Sequence, residues 1–392
     1  MSANETTFGD TDSWGVASAE VWLQVFERCD LTSKARLISV NKSFRALLGE
    51  SNALRWHVPS AALQFSSLTR ALTVYPSGPY VCSFPVPLPG DRLFTLRYCH
   101  ALQSVSLVTL NGRTGAVVRD YGTVGQVAER SAGEEMAREL GSVEACLQQF
   151  TSSFNLLSGM TLLDSDTVLC LSYRRLLHFS LSRGLVVRVV PLDRPPRGLM
   201  NDDIRTQIAV DLSGRLLIPW WNGAACFSDP SSGALLGALA PPAHLLPEGS
   251  KPMPLFVATA RHPLLSKHRH AVSYRYTDAP SREERYVLVL FDPHDQPVAH
   301  VAFAIDLPHC QMMHIALHHH RLFVLYCCQD GDERRNTLAV FDEHRLDAPP
   351  LLIQLPTIDS PTHLSLSDVG SLFVTVASWN EGPHHLICYP SP

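Results

Sequence analysis

The sequence predicts a mostly β protein: a small three-helix N-terminal segment, then one large domain of repeated four-strand units. Three observations lead there. Apolar residues recur at helical spacing between residues 16 and 48. After about residue 65 the spacing changes to short alternating runs separated by turn residues. A strand–turn–strand unit then repeats to the end of the chain at intervals of 48 to 69 residues.

A length of 392 residues accommodates one small domain and one large one. Hydrophobic residues make up 45% and charged residues 18%, the balance of a folded chain. A net charge of −5 leaves no basic surplus to neutralise phosphates, which argues against nucleic acid as the main partner. Residues 1–15 are polar, lack the order of a secretory signal, and read as a disordered tail. No run of about 18 apolar residues marks a membrane span. The ten cysteines form no Cys-x-x-Cys pair, so neither a zinc ribbon nor a thioredoxin-like motif is expected. Thiols used as small hydrophobes fit a reducing compartment, so a cytoplasmic or nuclear location is expected. Lysine occurs four times, at Lys34, Lys42, Lys251 and Lys267. Biased base composition explains this, and so does a chain that offers few acceptors for ubiquitin.

Residues 16–60 form the helical segment. Val21, Val25, Phe26 and Cys29 lie on one stripe of a helix about three turns long, with Ser18 as N-cap. Residues 30–33 break it, and Thr32 or Ser33 caps the next helix. Leu37, Val40, Phe44 and Leu47 make a second stripe, with Asn41 marking a turn. Three short helices bury little alone and need a partner surface.

The series Glu20, Val21, Val25, Phe26, Leu37, Val40, Lys42, Phe44 and Arg45, followed by Leu54, Arg55 and Trp56, resembles the F-box. Val25-Phe26 stands for the family's Ile-Phe pair, and residues 40–45 for its Val-Cys-Lys/Arg-x-Trp/Phe stretch. The chain departs from the family at Ala17-Ser18, Cys29 and Lys34, and the resemblance covers about a tenth of its length. The resemblance implies docking onto a Skp-type adaptor and, through it, a cullin–RING ubiquitin ligase. Val16, Val21, Trp22, Val25, Phe26, Leu37, Val40 and Phe44 would then face the adaptor. The residues alone also fit an ordinary helical hairpin that packs on the β domain or closes one of its ends.

Residues 61–392 carry the repeat. Runs ending at Leu110, Phe179, Phe227, Phe291, Phe341 and Tyr389 each close a strand, and all but the last, where the chain ends, lead through a polar turn into another strand. The turns read Asn111 to Gly115, Ser182 to Gly184, Asp229 to Gly233, Asp292 to Asp295 and Asp342-Glu343. The end residues are 69, 48, 64, 50 and 48 apart, and four strands with tight turns need about 40 to 50 residues. A further strand precedes each of the last five, over 168–173, 216–221, 271–276, 322–327 and 372–377. The longest interval contains an Ala/Glu/Met/Leu-rich stretch at 132–150, read as an inserted helix. A small twisted sheet has two apolar faces and must stack on neighbours, and a ring leaves no terminal face exposed. The expectation is therefore a β-propeller of six blades, with seven as the alternative and a β-sandwich or stacked open sheets as a different architecture. The last repeat lacks an outer strand, and residues 72–84 are expected to supply it.

Catalytic signatures are absent: there is no Gly-x-Ser-x-Gly elbow, phosphate-binding loop or His-Glu-x-x-His helix. His318-His319-His320 and His384-His385 read as solvated turns rather than metal ligands, as does the group His262, His268 and His270. Asn201-Asp202-Asp203 reads as a polar turn. No enzyme, metal or cofactor is expected. In a propeller the loops between second and third strands share one face with the links between blades. On that face Arg174, Arg175, Trp221, Tyr276, Arg282, Arg334, Arg335 and Trp379 are of the residue types that carry binding energy, although Trp220 or Trp221 also suits packing between blades. The reading is a substrate-recruiting subunit of a Skp/cullin/F-box ligase that holds an unidentified protein target on this face. The alternatives are a non-catalytic interaction scaffold and a propeller hydrolase.

Overall fold

Strands of two to ten residues whose two faces are both apolar must stack face to face, and the repeat does so. The computed structural model describes residues 72–73, 80–89, 92–99, 104–112, 114–132, 159–172, 175–193, 207–220, 223–247, 250, 252–260, 268–277, 284–303, 311–318, 320–330, 333–355, 360–366, 372–377 and 385–389. The chain divides between residues 63 and 64, and every described residue belongs to the second part. The three helices expected over 16–60, with their eight adaptor-facing residues, lie outside the described residues.

Among the described residues, six four-stranded antiparallel sheets are present. The strand nearest the N-terminus, β1 (Leu72–Thr73), belongs to the sixth sheet. The first sheet holds β2 (Tyr80–Leu88), β3 (Arg92–Cys99), β4 (Ser104–Asn111) and β5 (Val117–Thr123). The second holds β6 (Met160–Leu162), β7 (Thr167–Ser172), β8 (Arg175–Ser180) and β9 (Leu185–Pro191). The third holds β10 (Ala209–Val210), β11 (Leu216–Trp220), β12 (Ala224–Ser228) and β13 (Leu235–Leu239). The fourth holds β14 (Met253–Thr259), β15 (His270–Thr277), β16 (Glu284–Phe291) and β17 (Pro297–Phe303). The fifth holds β18 (Gln311–His318), β19 (Arg321–Asp330), β20 (Glu333–Asp342) and β21 (Leu351–Gln354). The sixth holds β22 (Ser360–Leu366), β23 (Leu372–Ala377) and β24 (His385–Tyr389), completed by β1.

The first strand of each sheet lies beside the first strand of the next, and β22 lies beside β2. The sheets are therefore the blades of a closed β-propeller, with the first strand of each lining its axis. Leu72 pairs with Cys388 and Thr73 with Ile387, so the sixth blade takes its outermost strand from the start of the domain. The stretch 72–84 is not one outer strand, as the sequence predicts. Its second half opens β2, the innermost strand of the first blade. Pro85 and Pro87 lie in β2, where a strand with one edge on the axis tolerates residues that cannot donate to a ladder.

Apolar clusters fill each of the five junctions between consecutive blades, from the first to the sixth. The repeat-ending residues Phe179, Phe227, Phe291 and Phe341 are buried in these clusters, and Leu110 is buried as well. Burying each phenylalanine contributes about 1.5–3 kcal/mol. At the first junction Phe179 lies 5.2 Å from Phe94 and 5.1 Å edge-on from Tyr121. Trp220 is buried between the second and third blades, so this tryptophan packs rather than binds.

Helix α1 (Val124–Ser131) follows β5. Thr123 and Gln126 form a capping box that starts it. Val127 is buried at the first junction, and Ser131 Oγ donates to Val127 O while accepting from Val186 N of β9 at 2.9 Å. The helix thus wedges between the first two blades. It precedes the helix expected at 132–150, and residues 133–158 lie outside those described.

Candidate functional site

Two features of the ring converge polar groups: the rim of turns on one face, and the axis. The rim is built from the turns joining third and fourth strands. An Asx residue opens most of them and accepts main-chain N–H bonds from two or three residues on. Asn111 Oδ1 accepts from Thr114 N at 3.0 Å, Asp229 Oδ1 from Ser231 N at 2.9 Å, and Asp292 Oδ1 from His294 N at 2.8 Å. Asp342 Oδ1 accepts from His344 N at 2.9 Å in the same manner. The turns close through a residue with positive φ, namely Gly115, Gly184, Gly233 or Asp295.

The turns of the second to fifth blades are each held by the blade before them. Arg119 of β5 donates to Leu181 O at 2.7 Å and Ser182 O at 2.8 Å in the second blade. The His178 ring lies 2.9 Å from Pro230 O, and Asp193 N donates to Gly233 O at 3.0 Å, both linking the second blade to the third. Arg215 of the third blade grips Asp295 of the fourth through two bonds of 2.7 and 3.1 Å. Its Nε also donates to Asp211 at 2.8 Å, and its guanidinium lies 3.8 Å over Phe227. Burial acts to raise the Asp295 pKa, but hydrogen bonds and charge from Arg215 prevail and hold the carboxyl below its usual range. Those same bonds raise Arg215. One blade further on, Glu343 Oε2 lies 3.8 Å from His268 Nδ1 of the fourth blade and 3.9 Å from His320 Nδ1 of its own.

These contacts correct part of the histidine reading. His268 and His270 are buried at the seams between blades, and His318 is buried at the end of β18, so none is a solvated turn residue. The reason is topological: His268 lies against Glu343 of the fifth blade, His270 against Phe227 of the third, and His318 lines the axis. Burial pushes the His270 pKa down to about 4, although Asp295 Oδ1 lies 3.2 Å away. His320 adopts a left-handed φ of 57° in the β18–β19 turn, and burial lowers its pKa as well. Among the described residues no group of three His, Cys, Asp or Glu side chains is arranged to hold a metal ion.

The axis encloses a cavity of about 270 Å³, lined by all six innermost strands or the residues next to them. Its wall is polar and apolar in about equal parts, with Thr161, Gln207, Asp211, Thr259, His314, His318 and Ser365 among its polar residues. Thr259 Oγ1 donates to Val210 O at 2.8 Å and Ser365 Oγ to Pro85 O at 2.6 Å, each tying one inner strand to its neighbour. Gln207 Nε2 donates to Ile315 O at 2.8 Å, which joins the third blade to the fifth across the axis. Burial pushes the His314 pKa down to about 3, leaving the ring neutral.

The loop face chosen from the sequence is described in part. Arg174, Trp221, Arg282 and Trp379 lie outside the described residues. Arg175 is exposed at the start of β8. Tyr276 is half-buried against the apolar cluster between the third and fourth blades, so it packs rather than standing free. Arg334 and Arg335 belong to β20, paired with Gln329 and Cys328, because β19 runs three residues past the expected 327, to Asp330, and β20 already opens at Glu333. Nothing local marks the rim pairs: Arg215 and Asp295 are 80 residues apart.

No known protein family matches the chain, and no curated protein is similar to it. Among solved structures it is similar to hydrazine synthase of Kuenenia stuttgartiensis, at 10% identity over 77% of this chain and 76% of that one, with a TM-score of 0.43. It is also similar to BamB of Moraxella catarrhalis, at 13% identity over 77% of this chain and 67% of that one, with a TM-score of 0.33. Neither likeness transfers a reaction or a partner, and the propeller rests on the six sheets themselves.

Proposed function

We propose that this chain is a non-enzymatic interaction scaffold whose N-terminal segment docks on a Skp-type adaptor while the propeller holds a protein target for a cullin–RING ubiquitin ligase. The observation that carries the scaffold part is the rim. Arg119 and Arg215 there reach across to the next blade, where they fix loop positions instead of converging on a reacting atom. A ring locked in this way presents its opposite face of second-to-third-strand loops with little conformational cost on binding. The F-box-like series from Glu20 to Trp56 supports the ligase part, and a chain of this kind acts by raising the local concentration of its target. The location consistent with this role is the cytoplasm or nucleus.

The test is an affinity capture from cells with the full chain and with a double substitution, Val25→Asp and Phe26→Asp. The intact chain is expected to retain a Skp-type adaptor and cullin, and the variant to lose both while keeping its propeller-bound target. Equal recovery of the adaptor by both proteins refutes the ligase part. A target recovered equally after Arg175→Glu and Arg335→Glu refutes the assignment of the face.

A further inference from the structure

The Gln207–Ile315 link is unlike the other bonds on the axis. Thr259 and Ser365 each tie adjacent blades, as any ring needs for closure. Gln207 passes over the fourth blade altogether, from just before β10 to the middle of β18. Both main-chain groups of Ile315 meet its carboxamide: the C=O accepts from Nε2 at 2.8 Å, and the N–H donates to Oε1 at 3.5 Å. An innermost strand has one edge paired and one edge on the axis, so its axial N–H and C=O groups need a partner from elsewhere. At Ile315 that partner is an amide presented edge-on, with donor and acceptor side by side. The second bond is long, so this half of the pair is loosely made.

The surroundings suit a small neutral polar group: Val86, Met160, Leu162 and Leu364 supply apolar contact, and Thr259, His314 and Ser365 supply polar contact. Asp211, the carboxylate at its edge, is fully buried and bonded to Arg215, which neutralises it. A cation therefore finds no free carboxylate, and an apolar ligand that displaces Gln207 leaves the Ile315 groups unpaired, which is costly in a buried place. The cavity, at about 270 Å³, holds a group larger than the carboxamide that now reaches into it.

We propose that the axial cavity is a receptor for a small neutral amide, recognised by the Ile315 main-chain pair, with the Gln207 carboxamide as its built-in competitor. The proposal is independent of the ligase reading and concerns a different face of the molecule. δ-Valerolactam is the appropriate probe, because its cis amide presents N–H and C=O on one edge as Gln207 does. δ-Valerolactone has the same ring without the donor. In ligand-observed NMR titrations of the full chain, Gln207→Ala is expected to bind the lactam about tenfold more tightly than the unsubstituted protein, and neither is expected to bind the lactone. In the unsubstituted protein, lactam is expected to shift the side-chain amide resonances of Gln207 as it displaces them. That second reading stands even where Gln207→Ala fails to fold. Equal binding of lactam and lactone, or unmoved Gln207 resonances at saturating lactam, overturns the proposal.

Discussion

Gly233→Ala removes nothing and adds one methyl group, yet it is expected to be among the more damaging small substitutions in the ring. The turn from Asp229 to Gly233 closes with φ of +78° at Gly233, a conformation that costs an L side chain about 1–2 kcal/mol. A β-carbon there collides with Pro191 O and meets Val190 Cγ1 at 3.1 Å, both from the neighbouring second blade. Backbone atoms cannot yield as a side-chain tip does, so the turn moves, and the Asp193 N–H bond to Gly233 O is lost at about 1 kcal/mol. The total is about 3 kcal/mol. With about 2 cal/mol/K of unfolding entropy per residue over roughly 330 residues, that corresponds to a fall in Tm of about 4 °C. Gly214→Ala supplies the comparison, because Gly214 has φ of +80° with nothing within 4 Å of the added carbon. It isolates the conformational cost, about 1–2 kcal/mol. Thermal unfolding followed by circular dichroism separates the two, and a Gly233→Ala loss no larger than that of Gly214→Ala refutes the close approach of the blades.

Arg215→Met removes the guanidinium that lies over Phe227 and leaves the buried Asp211 and the half-buried Asp295 without their shared cation, and urea unfolding is expected to show a loss of about 2–4 kcal/mol. Stability is also expected to rise with pH between about 4 and 6.5. His270 has a folded pKa of about 4 against 6.5 in the unfolded chain, so the unfolded state binds more protons in that window, and the effect is complete above it. The window is worth about 3 kcal/mol, so a His270→Asn variant should show a flatter dependence of Tm on pH, and an unchanged slope contradicts the assignment.

The repeat was legible because its signals are local. Phe179, Phe227, Phe291 and Phe341 end alternating apolar runs and stand just before turn residues, which fixes the third strand of four blades and the hairpin after each. The second strands follow for the same reason. The innermost strands were harder to see: β6 and β10 have three and two residues, too few for a period of two to appear. The N-terminal piece of the sixth blade is as short, and its partner lies at the other end of the chain. Histidine misled because solvated turns and buried seams use the same residue in the same hairpin positions. His268 and His270 are buried by the adjacent blade, which no local pattern announces. Gln207 and Ile315 are likewise 108 residues apart, and neither belongs to a motif.

The central claim is that a greasy helical surface near the N-terminus receives a second protein. Titration calorimetry of the purified full chain against a purified Skp-type adaptor measures it most directly. The account predicts a one-to-one complex, abolished when Val25 and Phe26 are both changed to aspartate while the melting of the β domain is unaltered. No heat of binding from the unsubstituted chain, or equal binding by the variant, contradicts it.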